Sequence, residues 1–297
     1  MRGVGSYSWL AGSVKLWRRA ASRVVLARGP WYSSGLRAAT DQTGMDRRRY
    51  RYLMVQFALK DFKIRYTHSV LGYAWSVLNP LVFALVYYLV FSVFVRFDVP
   101  NYPGYLLLGI MMWNFFSEGS SNGVNSLLSQ ASIVTKVNLP REVIVYAAVL
   151  NALMTFAITL GILLVLLRLT GTPVTLPWTS FPIVLADLVV LTLGISLLLS
   201  PLQVRYHDIG YLWGVAMQIG FWLTPIIYSD FMLPERWRWM LRLNPMARII
   251  GAAREAVIYG RWPDGPALVR TTVVSVAILI VGSVVFRRLQ ARLVEHF

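Results

Sequence analysis

Residues 143–167 read VIVYAAVLNALMTFAITLGILLVLL, twenty-five positions without a charged side chain. A helix needs about 20 mostly apolar residues to cross hydrocarbon, so this run sets the class of the whole chain. Five other stretches read the same way, to within a few residues at each end. They are 71–95, interrupted by Asn79-Pro80; 105–128, polar in its second half; 183–202; 211–228; and 267–286. The composition agrees, with 57% hydrophobic and only 14% charged residues, where soluble domains carry about a quarter charged. The chain therefore reads as an all-α integral membrane protein with six transmembrane helices. Cysteine is absent, which excludes disulfides, thiolate metal sites and cysteine nucleophiles.

The net charge of +16 is unevenly placed: residues 1–70 hold 14 Lys/Arg against 3 Asp/Glu. Beside apolar spans, such a surplus points to anionic membrane lipid and not to nucleic acid. The loop between the second and third spans carries Lys136 and Arg141, the next loop on that side Arg205, and the C-terminal tail Arg287, Arg288 and Arg292. With six spans these all fall on one side, so both termini are expected in the cytoplasm. Residues 230–266, on the opposite side, hold six arginines against four acids and run counter to the rule. Residues 1–46 read as a basic, disordered tail. An organellar transit peptide, or an upstream extension with Met45 as the working start, are the alternatives.

Residues 47–66 form a separate amphipathic element. Tyr50, Leu53, Met54 and Phe57 make one apolar row, and Val55, Leu59, Phe62 and Tyr66 a second. Arg47, Arg48, Arg49, Arg51, Lys60, Lys63 and Arg65 supply the polar face. This pattern predicts a helix lying in the headgroup plane. Where it turns into the first span, Arg65 and His68 sit at a depth suited to a lipid phosphate, or act as ordinary basic flanking.

In the second span, Ser117-Glu118-Gly119-Ser120-Ser121-Asn122 and Asn125-Ser126 follow an apolar first half. Such groups are costly against lipid and are expected to face a wet pathway or a neighbouring helix. Asn151 reads as helix packing, and Asp187 as a carboxylate snorkelling to the outer surface. Trp75, Trp113, Phe115, Phe116, Phe221 and Trp222 belong to an interfacial aromatic belt or line a path for sugar faces. Residues 230–260 look like a helical hairpin: Pro234-Glu235 suits a helix start, Asn244-Pro245 breaks it, and a second helix follows to about Tyr259. With Trp237, Trp239, Met240, Leu243, Ile249, Ile250 and Val257, it is too apolar for a free loop. It is expected to be re-entrant in the outer leaflet and buried against protein. The sequence holds no G-x-x-x-x-G-K-[ST] and no H-E-x-x-H, and no catalytic residue or metal ligand is assigned.

Six strings in order then resemble one family over residues 47–297. They are Gly72-Tyr73-Ala74-Trp75-Ser76-Val77-Leu78-Asn79-Pro80, Trp113-Asn114-Phe115-Phe116, Lys136-Val137-Asn138-Leu139-Pro140-Arg141-Glu142, Val204-Arg205-Tyr206-His207-Asp208, Leu223-Thr224-Pro225-Ile226-Ile227-Tyr228 and Leu243-Asn244-Pro245-Met246. The chain resembles the permease subunit of ABC-2 type polysaccharide ABC exporters, which carry O-antigen, teichoic acid, cell-wall galactan and related glycans. His207 and Asn138 depart from the family pattern, and residues 1–44 match nothing in it.

The resemblance implies a six-span permease domain over 67–297 in the bacterial cytoplasmic membrane. It pairs with a second copy of itself and with two copies of an ABC ATPase, which binds the ATP and Mg, since this chain binds no cofactor. A coupling helix over 129–142, with Lys136, Leu139, Pro140, Arg141 and Glu142, would seat in that ATPase. The interface helix 47–66, with Arg51 and Lys60, would dock beside it. A polyprenyl-pyrophosphate headgroup would enter at the turn holding Arg65, His68 and Tyr73. Trp75, Trp113, Phe116, Glu118, Asn122, Phe221 and Trp222 would follow along the path of the glycan. Gate helices within 230–260, marked by Pro234, Trp237, Asn244 and Pro245, would close the outer mouth. A proton-coupled lipid or solute carrier acting alone, or an embedded lipid-phosphate transferase, are the competing functions.

Overall fold

The computed structural model describes residues 47–66, a series of helical positions between 75 and 90, and residues 101–136, 139–232 and 234–290. Apart from Leu139, these belong to one compact unit. The elements among them are all helical. Helix α1 is Arg47–Tyr66, α2 Tyr102–Ser129, α3 Ala131–Lys136 and α4 Glu142–Leu169. A 3₁₀ turn, Leu176–Ser180, leads into α5, Phe181–Arg205, and then α6, Ile209–Leu223. Two further 3₁₀ turns, Asp230–Met232 and Glu235–Trp237, precede α7, Arg238–Leu243. The last two helices are α8, Pro245–Val257, and α9, Gly265–Leu289.

Among the described residues, three helices are long and apolar enough to cross a membrane: α4, the stretch Leu176–Arg205 and α9. Helix α2 has 28 residues, ample length at ~1.5 Å per residue, but its second half is polar. The expected fifth span is shorter than 211–228. Helix α6 stops at Leu223 after 15 residues, roughly 22 Å of helix against a hydrocarbon layer of about 30 Å. Of the expected first span, Trp75, Leu78, Leu81, Val82, Leu85, Val86, Leu89 and Val90 are helical and exposed. The rest of that span, the tail 1–46 and residues 291–297 lie outside the described residues.

Helix α2 is central, packed by α4, α5, α6 and α8. Its first half is apolar on every side, so it is buried on every side: Leu106, Leu107, Leu108, Met111 and Met112 are sealed in the core. Helix α9 lies along α5, and α1 along α4. The α5–α9 pair approaches closely at Gly194 and Gly282. A Cβ on Gly194 would stand 2.7 Å from Leu279 N and 2.8 Å from Leu279 Cα, and one on Gly282 would strike the Gly194 carbonyl. Small residues at a crossing let backbones meet where hydrophobic association gains nothing over lipid. The same pair is joined by Thr272 Oγ1 donating to Asp187 Oδ2 at 2.8 Å. Asp187 is 4% exposed, which corrects the expectation of a snorkelling carboxylate: it faces α9, where a hydroxyl satisfies it.

The ends of the bundle are tied separately. At one end Arg287 pairs with Glu142 at 3.5 Å, Arg141 donates to the Gln290 carbonyl, and Lys60 Nζ reaches Gln130 Oε1 at 3.2 Å. Gln203 Oε1 accepts from Gly210 N at 2.6 Å, which closes the α5–α6 turn on the same end. At the other end Asn101 takes a left-handed conformation, φ 47°, which Asn tolerates better than most residues. It donates to Thr172 Oγ1 at 2.7 Å, joining the start of α2 to the end of α4. Substituting Gly282→Leu is expected to destabilise the α5–α9 pair by about 1–3 kcal/mol or more, the usual range for overpacking. Thermal unfolding in detergent should show the drop, with Gly282→Ala intermediate.

Candidate functional site

The string Leu223-Thr224-Pro225-Ile226-Ile227-Tyr228 is where a membrane helix ends early. Pro225 lacks an N–H and pushes the residue before it out of helical geometry; Thr224 accordingly sits at φ −102°, ψ 131°. The next residues are non-helical and buried, so their carbonyls must find donors inside the protein. Arg254 Nη1 donates to the Pro225 carbonyl at 2.5 Å, and Nη2 to the Ile226 carbonyl at 2.6 Å. Nη2 also reaches the Tyr105 carbonyl at 3.3 Å. Tyr102 OH donates to the Ile227 carbonyl at 3.0 Å and Tyr105 OH to the Tyr228 carbonyl at 2.9 Å. Four successive carbonyls are thus satisfied by side chains of α2 and α8.

Arg254 is 4% exposed. Its guanidinium lies over the Tyr105 ring, 3.4 Å from the centroid, in cation–π geometry. A Cβ on Gly109 would stand 2.5 Å from Arg254 Nη2 and 3.3 Å from the Ile226 carbonyl, so the glycine in α2 makes room for the fork. The string Leu243-Asn244-Pro245-Met246 closes the same junction. Asn244 Oδ1 caps α8 by accepting from Met246 N at 3.0 Å and Ala247 N at 3.3 Å. Its Nδ2 donates to Thr224 Oγ1 at 2.9 Å. Two of the sequence strings therefore meet in space, at the break that ends α6.

Arg254 itself carries no sequence signal beyond an arginine on the apolar face of α8, flanked by the buried Ile250, Ala253 and Val257. Beside it, α7, α8 and the start of α9 enclose a cavity of about 670 Å³, with Arg238, Arg242, Arg248, Arg270, Glu235 and Glu255 on its walls. Burial pushes the Glu255 carboxyl above the usual carboxylate range, opposed by the Asp264 N–H that it accepts at 3.3 Å.

The other candidates separate by place. Trp113 and Phe116 are buried in an aromatic cluster with Phe221 and Trp213, with centroids 5.8 to 6.3 Å apart. They hold α2 against α6, and Trp213 Nε1 donates to Ser120 Oγ at 3.0 Å. Glu118 and Asn122 are half-buried on one edge of α2, in line with the exposed Asn114 and Asn125; Trp75 and Trp222 are exposed. At the opposite end Arg51 and Lys60 are exposed, while Leu139, Pro140, Arg141 and Glu142 are half-buried. Arg141 and Glu142 hold the end of α9, as described above. Lys136 ends α3, a narrower element than 129–142; the side chains of Lys136 and Arg65 and all of His68 and Tyr73 lie outside the described residues. Pro234 and Trp237 are exposed just before α7, as are Trp239 and Leu243 within it.

A model of the ABC-2 type transporter family matches residues 53–258. The chain belongs to that family. Among curated relatives, it is 32% identical over 246 residues to the O-antigen export system permease protein RfbA of Klebsiella pneumoniae, covering 82% of this chain and 94% of that protein. It is 30% identical over 240 residues to the protein of the same name from Myxococcus xanthus, covering 80% and 92%. It is 20% identical over 232 residues to the polysialic acid transport protein KpsM of Escherichia coli, covering 77% and 90%. The matched stretch runs from α1 into the end of α8, so the α6–α8 junction lies inside what this chain shares with ABC-2 transporters.

Replacing Arg254 by Met leaves several buried carbonyls without donors. At about 1–3 kcal/mol for each unsatisfied group, the loss is expected to reach at least about 3 kcal/mol. It should be visible as a lower melting temperature in detergent and as new protease cleavage between 224 and 262. Arg254→Lys, which lacks the planar fork, should recover only part of the loss.

Proposed function

We propose that this chain is the membrane subunit of an ABC exporter that moves a lipid-linked polysaccharide across the bacterial cytoplasmic membrane. The observation that carries the reading is the similarity at 30–32% identity, over most of both chains, to two O-antigen export system permeases. The sequence contains no nucleotide-binding P-loop, so ATP and Mg belong to a partner ATPase, two copies of which would serve a dimer of this chain. The substrate class is a polyprenyl-pyrophosphate-linked glycan of O-antigen, teichoic acid or galactan type.

The end that gathers Lys60, Arg141, Arg205, Arg287 and Arg288 is assigned to the cytoplasm by its positive charge, and both termini with it. Counting α2, α6 and the stretch 71–95 beside the three long apolar helices restores six spans. Helices α7 and α8 then form an outer hairpin that re-enters the membrane, with Trp237, Trp239 and Leu243 facing lipid or the second subunit. Helix α3 with Lys136, and α1 with Arg51 and Lys60, form the surface offered to the ATPase. The polar edge of α2 at Glu118 and Asn122 faces the path, and Pro234, Asn244 and Pro245 shape its outer gate. Arg65, His68 and Tyr73 mark the point at which the lipid headgroup enters.

Deleting the gene is expected to abolish surface glycan, and restoration should require both this chain and a separate P-loop ATPase. Transport by the purified chain alone under a pH gradient would reverse the assignment in favour of a proton-coupled carrier. In the reconstituted complex, Lys136→Glu is expected to lower transport-coupled ATP hydrolysis by about tenfold, as for loss of a charged interface contact, with membrane levels unchanged. Wild-type hydrolysis in that variant would remove α3 from the docking surface.

A further inference from the structure

Between α2 and α4, near the end tied by Arg141 and Glu142, lies a second cavity of about 280 Å³. Asn122, Asn125, Ser126, Ser129, Gln130 and Asn151 line it, with Ile144 and Ala148 as a small apolar wall. No charged residue is among its described lining. Lys60 Nζ, on the neighbouring α1, donates to Gln130 Oε1 at 3.2 Å.

The two serine hydroxyls and Asn151 share one bias. Ser126 Oγ donates to the Gly123 carbonyl at 2.7 Å and Ser129 Oγ to the Ser126 carbonyl at 3.0 Å. Their protons are used within α2, leaving oxygen lone pairs. Asn151 is 2% exposed. Its Nδ2 donates to the Ala58 carbonyl of α1 at 3.1 Å. A carbonyl can only accept, so this bond fixes the orientation of the amide. Its Oδ1 is then turned away from α1 as a buried acceptor with no partner. Buried polar atoms without partners cost about 1–3 kcal/mol, so an unmatched acceptor on the wall of a polar cavity marks a place for a donor.

We infer that this cavity is a binding site for a single uncharged sugar ring of the transported glycan, with Asn151 Oδ1 accepting one of its hydroxyls. A sugar hydroxyl supplies the donor that Asn151 Oδ1 lacks, the amides of the lining can meet its other hydroxyls as donor or acceptor, and the C–H face of a pyranose suits Ile144 and Ala148. The volume equals about nine waters at roughly 30 Å³ each, the scale of one hexose. An anionic phosphate group brings only acceptors to Asn151 Oδ1 and meets no charged side chain among the described lining. Because Asn151 is also bonded to α1, occupancy is felt directly at the helix proposed to touch the ATPase. The inference rests on the reading of the chain as a glycan exporter.

The test uses the complete transporter, this chain with its ATPase, in lipid nanodiscs. The chain has no native cysteine, so Ser129→Cys gives it one reporter thiol whose alkylation is read by mass spectrometry. The probes are methyl gluco-, manno-, galacto- and rhamnopyranosides, with inorganic pyrophosphate as the anionic control. At least one hexoside should slow alkylation saturably. Adding Asn151→Leu or Asn122→Leu should raise the half-protecting concentration by about tenfold, the equivalent of one to two hydrogen bonds. Asn122 is half-buried at the rim, so its variant keeps the test decisive where Asn151→Leu fails to fold. Protection by no hexoside, protection by pyrophosphate alone, or protection that Asn122→Leu leaves unshifted would each overturn the site while export by the same complex continued. A complex that exports no glycan at all would instead overturn the functional reading beneath it.

Discussion

The carbonyls of Pro225, Ile226, Ile227 and Tyr228 impose the constraint on which one half of this protein depends. They leave the helix inside a layer where water does not replace a lost hydrogen bond. Arg254, Tyr102 and Tyr105 supply the donors, and each of these side chains draws in further structure. Arg254 requires a glycine at 109 and stacks on Tyr105. Asn244 fixes the start of the helix that carries Arg254 and bonds to the residue at which α6 stops. The short α6, the two small helices after it and the first half of α2 are consequently one mechanical unit.

The opposite half is built on different physics. Its contacts are exposed or half-exposed charges and amides: Glu142 with Arg287, Arg141 with the Gln290 carbonyl, Lys60 with Gln130. Ion pairs at a solvated surface contribute little on their own, so this end is more readily rearranged by a partner than the buried junction is. Between the halves, α5 and α9 are held through Gly194, Gly282 and the Asp187–Thr272 hydrogen bond.

Where sequence reading failed, the missing information was the partner of a polar group. Asp187 read as a surface carboxylate because nothing nearby in sequence could satisfy it; its donor, Thr272, is eighty-five residues away. Trp113 and Phe116 read equally well as a belt or a path, and burial against α6 was needed to show their packing role. Residues 211–228 read as one span because Thr224-Pro225 alone does not reveal that the helix stops there for good. Arg254 was invisible as a functional residue, since an arginine in a short amphipathic helix looks like any solvated cation until the carbonyls facing it are known.

The sequence by itself determined the membrane class, the helical architecture, the amphipathic helix 47–66, the hairpin broken at Asn244-Pro245, and the family through six ordered strings. These follow from hydropathy, helical periodicity and proline, which act over a few turns of chain. Tertiary structure alone decided that the Thr224–Tyr228 and Leu243–Met246 strings form one junction, that Arg254 holds it, and that Asn151 turns an unpaired oxygen away from α1. Those are matters of which donor meets which acceptor. Hydrogen bonds are satisfied at about 3 Å in space, a distance that spacing along the chain does not specify.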